Sequence, residues 1–335
     1  MARRTILFTG KNELHLEEEP IPAPGPNELL VETTRTLIST GTELICLTRN
    51  FSPGTHWDAW VKYPFRVGYL NCGRVIGIGE GVTDWKVGDR VASRAGHTSH
   101  TVVGANHAFR VPENVSDDEA CWLGLGKITQ IGVRSAHQQL GDDVVIIGLG
   151  LIGQLVCQYA RLNGAGNVIA IDTAPRRLEM ATAHGATHML NMSAADALAR
   201  VQEITQCRRA DVVYEVTGHP SVLATALPLA RPFGTLLLLG DTGTPGGQTL
   251  TTDVVVRGVK IIGAHDSHPP HDAASDRPWP ARRINELFLS YLARGQIRVK
   301  DLITHRYTPD RARNAYDLLL TDRQLTMGVM FEWST

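Results

Sequence analysis

The chain has 335 residues, of which 20% are charged, with a formal net charge of −1 and a pI near 6.9. This length exceeds that of a typical single domain, so we expect two domains. The near-neutral charge favours neither nucleic acid nor an anionic membrane as a partner, and no apolar run is long enough to span a bilayer. The first residues lack the apolar core of a secretory signal, and the five cysteines are scattered, which argues against a disulfide framework. We therefore expect a cytoplasmic protein with reduced thiols.

Short β-like segments separated by Gly/Pro turns fill the first third of the chain. Such closely spaced strands are typical of a small barrel rather than of βαβ units. Near Ser116 the pattern changes, because Ser116 and Glu119 have the spacing of a helix capping box before an apolar segment. The predicted strands are 5–8, 28–34, 73–78, 90–92 and 101–103.

Strands and helices then alternate, which predicts a parallel, doubly wound sheet. A loop rich in Pro, His and Asp follows Asp266 and extends to Pro280, and two helices and a strand complete the chain. We therefore expect a dinucleotide-binding domain (117–265) inserted into a partner domain made of 1–116 and 266–335. The predicted strands are 144–148, 168–172, 210–216, 235–239, 260–264 and 327–332, and the predicted helices are 154–163, 175–184, 220–229, 281–294 and 309–320.

The most informative motif is a Gly-x-Gly-x-x-Gly sequence formed by Gly148, Gly150 and Gly153. It follows an apolar β-branched run and precedes an apolar helical pattern, and Asp172 ends the next strand. In such a motif the three glycines permit a tight turn, close approach of the backbone to a pyrophosphate, and close helix–strand packing. The free N–H groups at the helix start would then face the phosphates.

Several further segments make the chain resemble the medium-chain dehydrogenase/reductase superfamily over almost its whole length. The resemblance implies an α/β fold in which a Rossmann doubly wound parallel sheet is inserted into a discontinuous GroES-like β-barrel catalytic domain. Some segments look most like a zinc-lacking branch that includes hydroxyethyl-bacteriochlorophyllide dehydrogenases and sugar- or alcohol-type dehydrogenases. The superfamily segments are 81–91, 211–218, 234–240 and 301–305, and the branch segments are 39–44, 68–73 and 277–282.

The positions that match the catalytic zinc ligands of the superfamily are Thr40, Tyr69 with Leu70, and Leu125. Zn²⁺ requires thiolate, imidazole or carboxylate ligands, so we expect no metal. A second group of possible ligands follows the last predicted Rossmann strand, but a Pro-Pro pair interrupts it, and an ordinary loop is the expected role. Its members are His265, Asp266, His268, His271 and Asp272.

Without zinc, a side chain must handle the proton while hydride moves to or from nicotinamide. Thr42 matches the hydroxyl that relays protons in the zinc relatives; a strand-end hydroxyl bonded to backbone is an equal alternative. Tyr69 stands at a zinc-ligand position and would donate a proton, or act as a base if a nearby cation lowered its pKa. Aromatic packing is the alternative for Tyr69.

Three further positions are weaker candidates. Lys127 would lower the pKa of Tyr69 or donate directly, although a lysine there is more often solvated or bound to phosphate. His97 or His100 would contact substrate, although a surface histidine is the commoner outcome. Glu43 replaces an acid that supports a zinc ligand, and a structural hydrogen bond is its expected role. The aromatic segment 51–65 suits either a sugar or ring substrate or core packing.

The cofactor expected is NAD, because the carboxylate of Asp172 would bind the ribose hydroxyls and repel a 2′-phosphate. Arg176 and Arg177 complicate this preference, since both could bind that phosphate. The residues expected to contact the cofactor are Gly148, Gly150, Leu151, Ile152, Gly153, Asp172, Arg177, Thr129, Thr217 and Gly240.

The leading hypothesis is therefore a zinc-independent, NAD-dependent dehydrogenase acting on a secondary hydroxyl of a sugar, cyclitol or ring side chain. The alternatives are an enone or quinone reductase using NAD(P)H and a non-catalytic dinucleotide-binding protein. We expect a small-molecule substrate, no nucleic-acid or membrane partner, and a homodimer formed through the last Rossmann strand, 260–264.

Overall fold

The computed structural model describes residues 2–270, 272–274 and 278–333. The chain forms two compact units: one contains the described residues up to Leu125 and from Arg282 onward, and the other is Gly126–Ala281. The predicted boundaries, 1–116, 117–265 and 266–335, lie earlier in the chain. The difference arises because the helix after Ser116 packs on strands of the first unit, whereas residues after Asp266 are held by side chains of the second.

The elements of the N-terminal segment include the five predicted strands. They also include elements that the sequence pattern did not indicate, among them a strand at Glu13–Pro20 and helices at Thr40–Thr48 and His56–Trp60. The predicted capping box is confirmed, since Ser116 and Glu119 bond each other's backbone amides. The elements are β1 (Ala2–Gly10), β2 (Glu13–Pro20), β3 (Glu28–Leu37), α1 (Thr40–Thr48), α2 (His56–Trp60), β4 (Phe65–Arg66), β5 (Asn71–Ile78), β6 (Arg90–Ser93), β7 (His100–Gly104), β8 (Phe109–Arg110) and α3 (Asp117–Ala120).

The central and C-terminal segments alternate strands and helices. They contain α4 (Leu123–Ser135), β9 (Asp143–Ile147), α5 (Leu151–Leu162), β10 (Asn167–Asp172), α6 (Pro175–Ala183), β11 (His188–Asn191), α7 (Leu198–Ile204), β12 (Ala210–Glu215), α8 (Val222–Ala226), β13 (Ala230–Leu238), α9 (Asp253–Val256), β14 (Lys260–Gly263), α10 (Ala281–Ala293), β15 (Ile303–Tyr307), α11 (Ala312–Thr321) and β16 (Gly328–Glu332).

The first unit is a GroES-like β-structure made of two sheets. The larger has seven strands in the order β15-β16-β3-β5-β6-β8, with β7 also paired to β3, and the smaller has the order β2-β1-β4. Strand β16 joins the N-terminal strands through the pairing of Met330 with Leu37. Inward-facing residues of both chain segments share one core, which includes Ile6, Phe8 and Phe331.

The second unit is a Rossmann-like sheet of six parallel strands in the order β11-β10-β9-β12-β13-β14. The predicted doubly wound sheet is thus confirmed. Strand β9 is buried throughout, which explains why it is a continuous apolar run rather than an alternating one. The predicted helix 220–229 is shorter than expected: α8 ends at Ala226 and a 3₁₀ turn follows, because Pro228 cannot donate an intrahelical hydrogen bond.

No helix in the described part of the chain is long and apolar enough to cross a membrane.

Candidate functional site

In the second unit, the glycine motif forms the turn between β9 and α5. Gly148 has φ of +90°, and a Cβ there would lie 2.7 Å from Cγ2 of Thr217. A Cβ at Gly153 would lie 2.0 Å from the carbonyl oxygen of Gly148. Both positions therefore require glycine, the first for the left-handed turn and the second for close packing of α5 against the strand.

The start of α5 has the properties of a phosphate-binding site. Gly150 is the N-cap residue, makes no side-chain cap, and a Cβ built on it would meet nothing within 4 Å. The amides of Leu151 and Ile152 are in the first turn, where helix N–H groups have no intrahelical acceptor. A pyrophosphate fits such a position, because both the N–H groups and the helix dipole favour an anion.

Asp172 ends β10 beside this turn. Its Oδ2 accepts the Leu149 amide at 2.7 Å and its Oδ1 accepts the Ala174 amide at 2.8 Å. Arg177 lies beside it, with 3.9 Å between Nη1 and Oδ2, while Arg176 is exposed. A carboxylate has about four acceptor positions, so Asp172 retains capacity for ribose hydroxyls.

A buried acid that the sequence analysis missed organises the loop after β12. Glu215 is 1% exposed, and its Oε1 accepts the Thr217 amide at 2.7 Å, the Gly218 amide at 3.2 Å and the Thr217 hydroxyl. Burial raises the pKa of Glu215 despite these bonds. A Cβ at Gly240 would lie 2.2 Å from the Gly218 amide nitrogen, so the end of β13 is held against the same loop. The motif 211–218 carried this signal, because an acid inside an apolar strand needs a local partner.

Two other predicted residues of this unit are less accessible than expected. Thr129 is fully buried in α4. Lys127 is largely buried rather than solvated: its ammonium lies 3.0 Å from Oδ1 of Asp266 and 3.1 Å from the carbonyl oxygen of that residue. Lys127 therefore anchors the start of the loop after β14.

In that loop, Nδ1 of His265 lies 2.8 Å from the Ser267 hydroxyl, and Asp266 is engaged by Lys127. Of the residues predicted to group with them, His271 lies outside the described residues, as does Arg277 of the branch segment 277–282.

In the first unit, three hydroxyl groups meet where α1 approaches the segment before β5. The phenol oxygen of Tyr69 lies 2.5 Å from Oγ of Ser39 and 3.3 Å from Oγ1 of Thr42. The guanidinium of Arg94 covers the ring of Tyr69 at 4.4 Å from its centroid, a cation–π geometry. The predicted pair of Thr42 and Tyr69 is thus brought together, and Ser39 is an additional member.

The pKa of Tyr69 is shifted in the direction opposite to the one that a nearby cation would produce. Burial raises the pKa of Tyr69, and the Arg94 guanidinium, which acts in the opposite direction, does not offset it. The expectation that a nearby cation lowers the pKa of Tyr69 below its usual value is therefore not met. Tyr69 is a neutral phenol at physiological pH, suited to donating a proton.

The prediction that His97 contacts substrate is also corrected. His97 is 0% exposed, with Nε2 3.0 Å from Oε2 of Glu43 and Nδ1 2.8 Å from the Thr36 hydroxyl. The indole of Trp333 donates to the same hydroxyl at 2.8 Å. Thr36 is therefore able to donate to Nδ1, and Nε2–H to donate to Glu43. His97 is a buried partner of Glu43, and the structural hydrogen bond expected for Glu43 is present.

His100 is buried as well, with Nδ1 3.0 Å from the Ser99 hydroxyl, and burial lowers its pKa. The alternative of a surface histidine is wrong for both histidines: the segment at and before β7 pairs with β3 and bonds to β1 through its backbone, and both side chains are buried. In the aromatic segment, Trp57 is buried in the core of this unit and Trp60 is half exposed, 5.1 Å from Phe65. Core packing therefore explains most of that segment.

The residues at the zinc-ligand positions do not fit a zinc ion. Leu70 and Leu125 are buried apolar side chains, and Tyr69 is bonded to hydroxyl groups. Thr40 begins α1 and offers a neutral hydroxyl. None of these groups supplies the thiolate, imidazole or carboxylate that a tetrahedral zinc site requires.

Comparison with known proteins gives matches along most of the chain. Residues 25–117 match the alcohol dehydrogenase GroES-like domain family, and residues 152–274 match the zinc-binding dehydrogenase family. Sorbitol dehydrogenase of Bacillus subtilis is 26% identical over 364 aligned positions, covering 98% of this chain and 96% of its own.

Two solved structures share the fold over 99% of both chains. A zinc-binding dehydrogenase from Sinorhizobium meliloti bound to NADP has a TM-score of 0.80 at 21% identity. An alcohol dehydrogenase from Escherichia coli CFT073 complexed with NADH has a TM-score of 0.81 at 23% identity.

Proposed function

The chain belongs to the medium-chain dehydrogenase/reductase superfamily and is an oxidoreductase acting on alcohols, and from this premise we propose that it is a zinc-independent, NAD-dependent dehydrogenase of a sugar, cyclitol or ring-borne secondary alcohol. The observation that carries the proposal is the hydroxyl cluster of Tyr69, Thr42 and Ser39 at a zinc-ligand position. The sorbitol dehydrogenase relative supports a polyol-like substrate.

The nicotinamide dinucleotide supplies the hydride acceptor or donor when it is bound. The chain offers its pyrophosphate the amides at the start of α5, with Gly150 giving the backbone free approach. Asp172 would accept the ribose hydroxyls, and its charge opposes a 2′-phosphate, which supports NAD over NADP. Arg177 is already close to that carboxylate, so the pair presents less positive charge than a free arginine would.

We assign to Tyr69 the transfer of the proton to and from the substrate oxygen. As a neutral phenol, Tyr69 would donate its proton to the oxygen of a carbonyl substrate as hydride reaches the carbon. Alcohol oxidation would run the same step in reverse, with the phenolate form of Tyr69 accepting the alcohol proton. Thr42, 3.3 Å from the phenol oxygen, would pass a proton onward. Lys127, bound to Asp266, is assigned to holding its loop.

Self-association would use the edge of the Rossmann sheet. Among the described strands, β14 pairs with β13 alone, and an unpaired strand edge is a template for pairing with another chain. Nearby apolar side chains are exposed, including Val255 (87%) and Val256 (77%). We assign this edge as the interface of a homodimer. The four buried and one exposed free cysteines fit a reducing compartment, and we assign the protein to the cytoplasm.

The test is a panel of polyols, cyclitols and ring alcohols assayed with NAD⁺ and NADP⁺ in the presence of a metal chelator. We expect turnover of secondary alcohols that chelation leaves unchanged. Tyr69→Phe should lower kcat by about 10²–10⁴-fold, the contribution of a general acid–base group. Tyr63→Phe is the matched control, since its phenol bonds the Cys46 carbonyl instead.

Full turnover by Tyr69→Phe would refute the acid–base assignment. Loss of activity with chelator, restored by Zn²⁺, would refute zinc independence. Reduction of enones with NADPH and no alcohol oxidation would replace the proposal with the reductase alternative.

A further inference from the structure

We propose that Ser39 is a positioning residue for the phenol of Tyr69, and that the buried carboxylate of Glu43 holds Ser39 in that position. The inference rests on the role proposed for Tyr69 and extends it to residues that touch no substrate. It follows from three features: the contact between the two hydroxyls, the way in which α1 begins, and the partners of the carboxylate.

The contact between Ser39 and Tyr69 is the closest in the hydroxyl cluster. The two oxygens are 2.5 Å apart, against 3.3 Å between Tyr69 and Thr42 and 3.4 Å between Ser39 and Thr42. A phenol has one proton. When Tyr69 directs that proton at a substrate oxygen, it must act as the acceptor toward Ser39, whose hydroxyl then donates to it. When the proton is transferred, the O–H bond of Tyr69 breaks, the substrate O–H bond forms, and Ser39 stabilises the phenolate left behind.

Ser39 is free for this task because another residue satisfies its backbone. A serine before a helix usually caps it by accepting an amide proton with its hydroxyl. Ser39 precedes α1 and makes no such cap. Instead, Oε1 of Glu43 accepts the Ser39 amide at 2.7 Å, and the Glu43 amide donates to the Ser39 carbonyl at 2.9 Å. Glu43 thus fixes the backbone of Ser39 from two sides while the hydroxyl points at Tyr69.

Glu43 is itself fixed by residues distant in the sequence. It is 1% exposed, and its Oε2 accepts the Tyr316 hydroxyl at 2.5 Å and lies 3.0 Å from Nε2 of His97. Both oxygens of the carboxylate therefore have hydrogen-bond partners, as a buried charge requires. His97 is held in turn by Thr36. The arrangement fixes the backbone position from which the Ser39 hydroxyl reaches Tyr69.

The groups that face the Tyr69 phenol have opposing electrostatic effects. Burial raises the pKa, Arg94 lowers it, and the hydrogen bonds from Ser39 and Thr42 lower it as well, whereas the charge of Glu43 raises it. Removing the Ser39 hydroxyl while Arg94, Thr42 and Glu43 stay in place should therefore raise the pKa of Tyr69 further.

The experiment measures that pKa directly and does not depend on turnover. The full chain is labelled with ring-fluorinated tyrosine, whose phenol is more acidic and therefore titrates in an accessible range. The Tyr69 signal in the fluorine NMR spectrum is assigned by its loss in Tyr69→Phe. We expect Ser39→Ala to raise the pKa of Tyr69 by about one unit, the effect of losing one hydrogen bond to a charged group.

Two variants separate positioning from a structural effect. Ser39→Thr keeps the hydroxyl and should restore the pKa. Ser99→Ala removes a buried hydroxyl that accepts the Arg4 amide and should leave the Tyr69 signal unchanged. If Ser39→Ala does not fold, Ser39→Cys, whose thiol is a weak donor, provides the same test.

An unchanged pKa in Ser39→Ala would overturn the inference, as would an equal shift in Ser99→Ala. The proposed function fails separately: if the wild-type chain oxidises no alcohol, the NMR result still decides whether Ser39 controls Tyr69. In an active protein, Ser39→Ala should lower kcat about tenfold and leave KM unchanged, because the lost bond strengthens as the phenol gives up its proton.

Discussion

Replacing Asp172 by asparagine removes the charge at the end of β10 and keeps the shape of the side chain. In the wild-type chain the two carboxylate oxygens accept separate amides, from Leu149 at 2.7 Å and from Ala174 at 2.8 Å. An asparagine has one oxygen and one NH₂ group, so one of the two amides meets a donor. An unsatisfied buried donor destabilises by about 1–3 kcal/mol, and the remaining bond loses about half its strength without the charge.

The free energy of unfolding of the Rossmann unit should therefore fall by about 2–4 kcal/mol, which corresponds to a fall of several degrees in melting temperature. Binding should change in the opposite sense for the two dinucleotides. The Kd for NADH should rise about tenfold through loss of bonds to the ribose. NADPH should bind equally or more tightly, because the repulsion of its 2′-phosphate is removed and Arg177 is released from its partner.

Melting followed by calorimetry, and titrations with NADH and NADPH followed by nucleotide fluorescence, measure both effects. Glu179→Gln is the matched control, since it removes the same charge from an exposed position on α6. Equal changes in the affinities for NADH and NADPH would show that Asp172 does not discriminate at the 2′ position. An unchanged melting temperature would show that the two amides do not depend on the carboxylate.

Three further predictions concern the glycine motif, the ion pairs of Glu19 with Arg3 and Arg66, and the edge of the Rossmann sheet. Gly153→Ala should destabilise the chain by about 1–3 kcal/mol, since the added Cβ would lie 2.0 Å from a backbone oxygen. Gly150→Ala, whose added Cβ would meet no atom within 4 Å, should keep the melting temperature and weaken NADH binding. Equal melting temperatures for the two variants would contradict the packing argument. The hydrogen bonds of Arg66 and then Arg3 hold the pKa of Glu19 at about 2, below the usual 4.5, so its stabilisation is present above pH 4.5 and is lost as the pH falls toward 2. Urea unfolding should therefore show Glu19→Gln to be less stable than wild type at neutral pH, with the difference closing over that window, and the exposed Glu18→Gln should show no such difference. Val255→Glu should convert the proposed homodimer to a monomer in sedimentation experiments. Leu140→Glu, at a position that is 86% exposed against 87% for Val255, should not. A dimer that survives Val255→Glu would rule out this part of the sheet edge as the interface.

The fold could be predicted from the sequence where the signal is local. The apolar run of β9, the glycines after it and Asp172 all lie within one βαβ unit, so their spacing determines the turn and the strand order around it. Elements without such patterns were missed. Strand β2 alternates partly buried and exposed residues with few apolar side chains, and α1 begins at a serine that does not act as a cap.

The site was only partly predictable, for a related reason. Tyr69 and Thr42 were found because their positions match a motif. Ser39 was not singled out, because its contact with Tyr69 depends on how α1 meets the segment before β5. The sequence pattern predicts that His97 contacts substrate, with a surface position as the alternative, whereas its actual burial depends on Glu43 and on Tyr316, which is 273 residues further along the chain than Glu43. Contacts over such separations leave no periodicity in the sequence.

That separation also affects when the hydroxyl cluster becomes ordered during synthesis. Glu43 receives one of its hydrogen bonds from Tyr316, and Thr36 receives one from Trp333, 297 residues after it. A nascent chain whose N-terminal strands and Rossmann unit have already emerged from the ribosome still lacks both donors. Until α11 and β16 are added, burying the carboxylate of Glu43 would leave a charge with incomplete partners, so its segment favours an open, hydrated state. We therefore expect the cluster of Tyr69, Thr42 and Ser39 to become ordered only after Tyr316 and Trp333 have been synthesised.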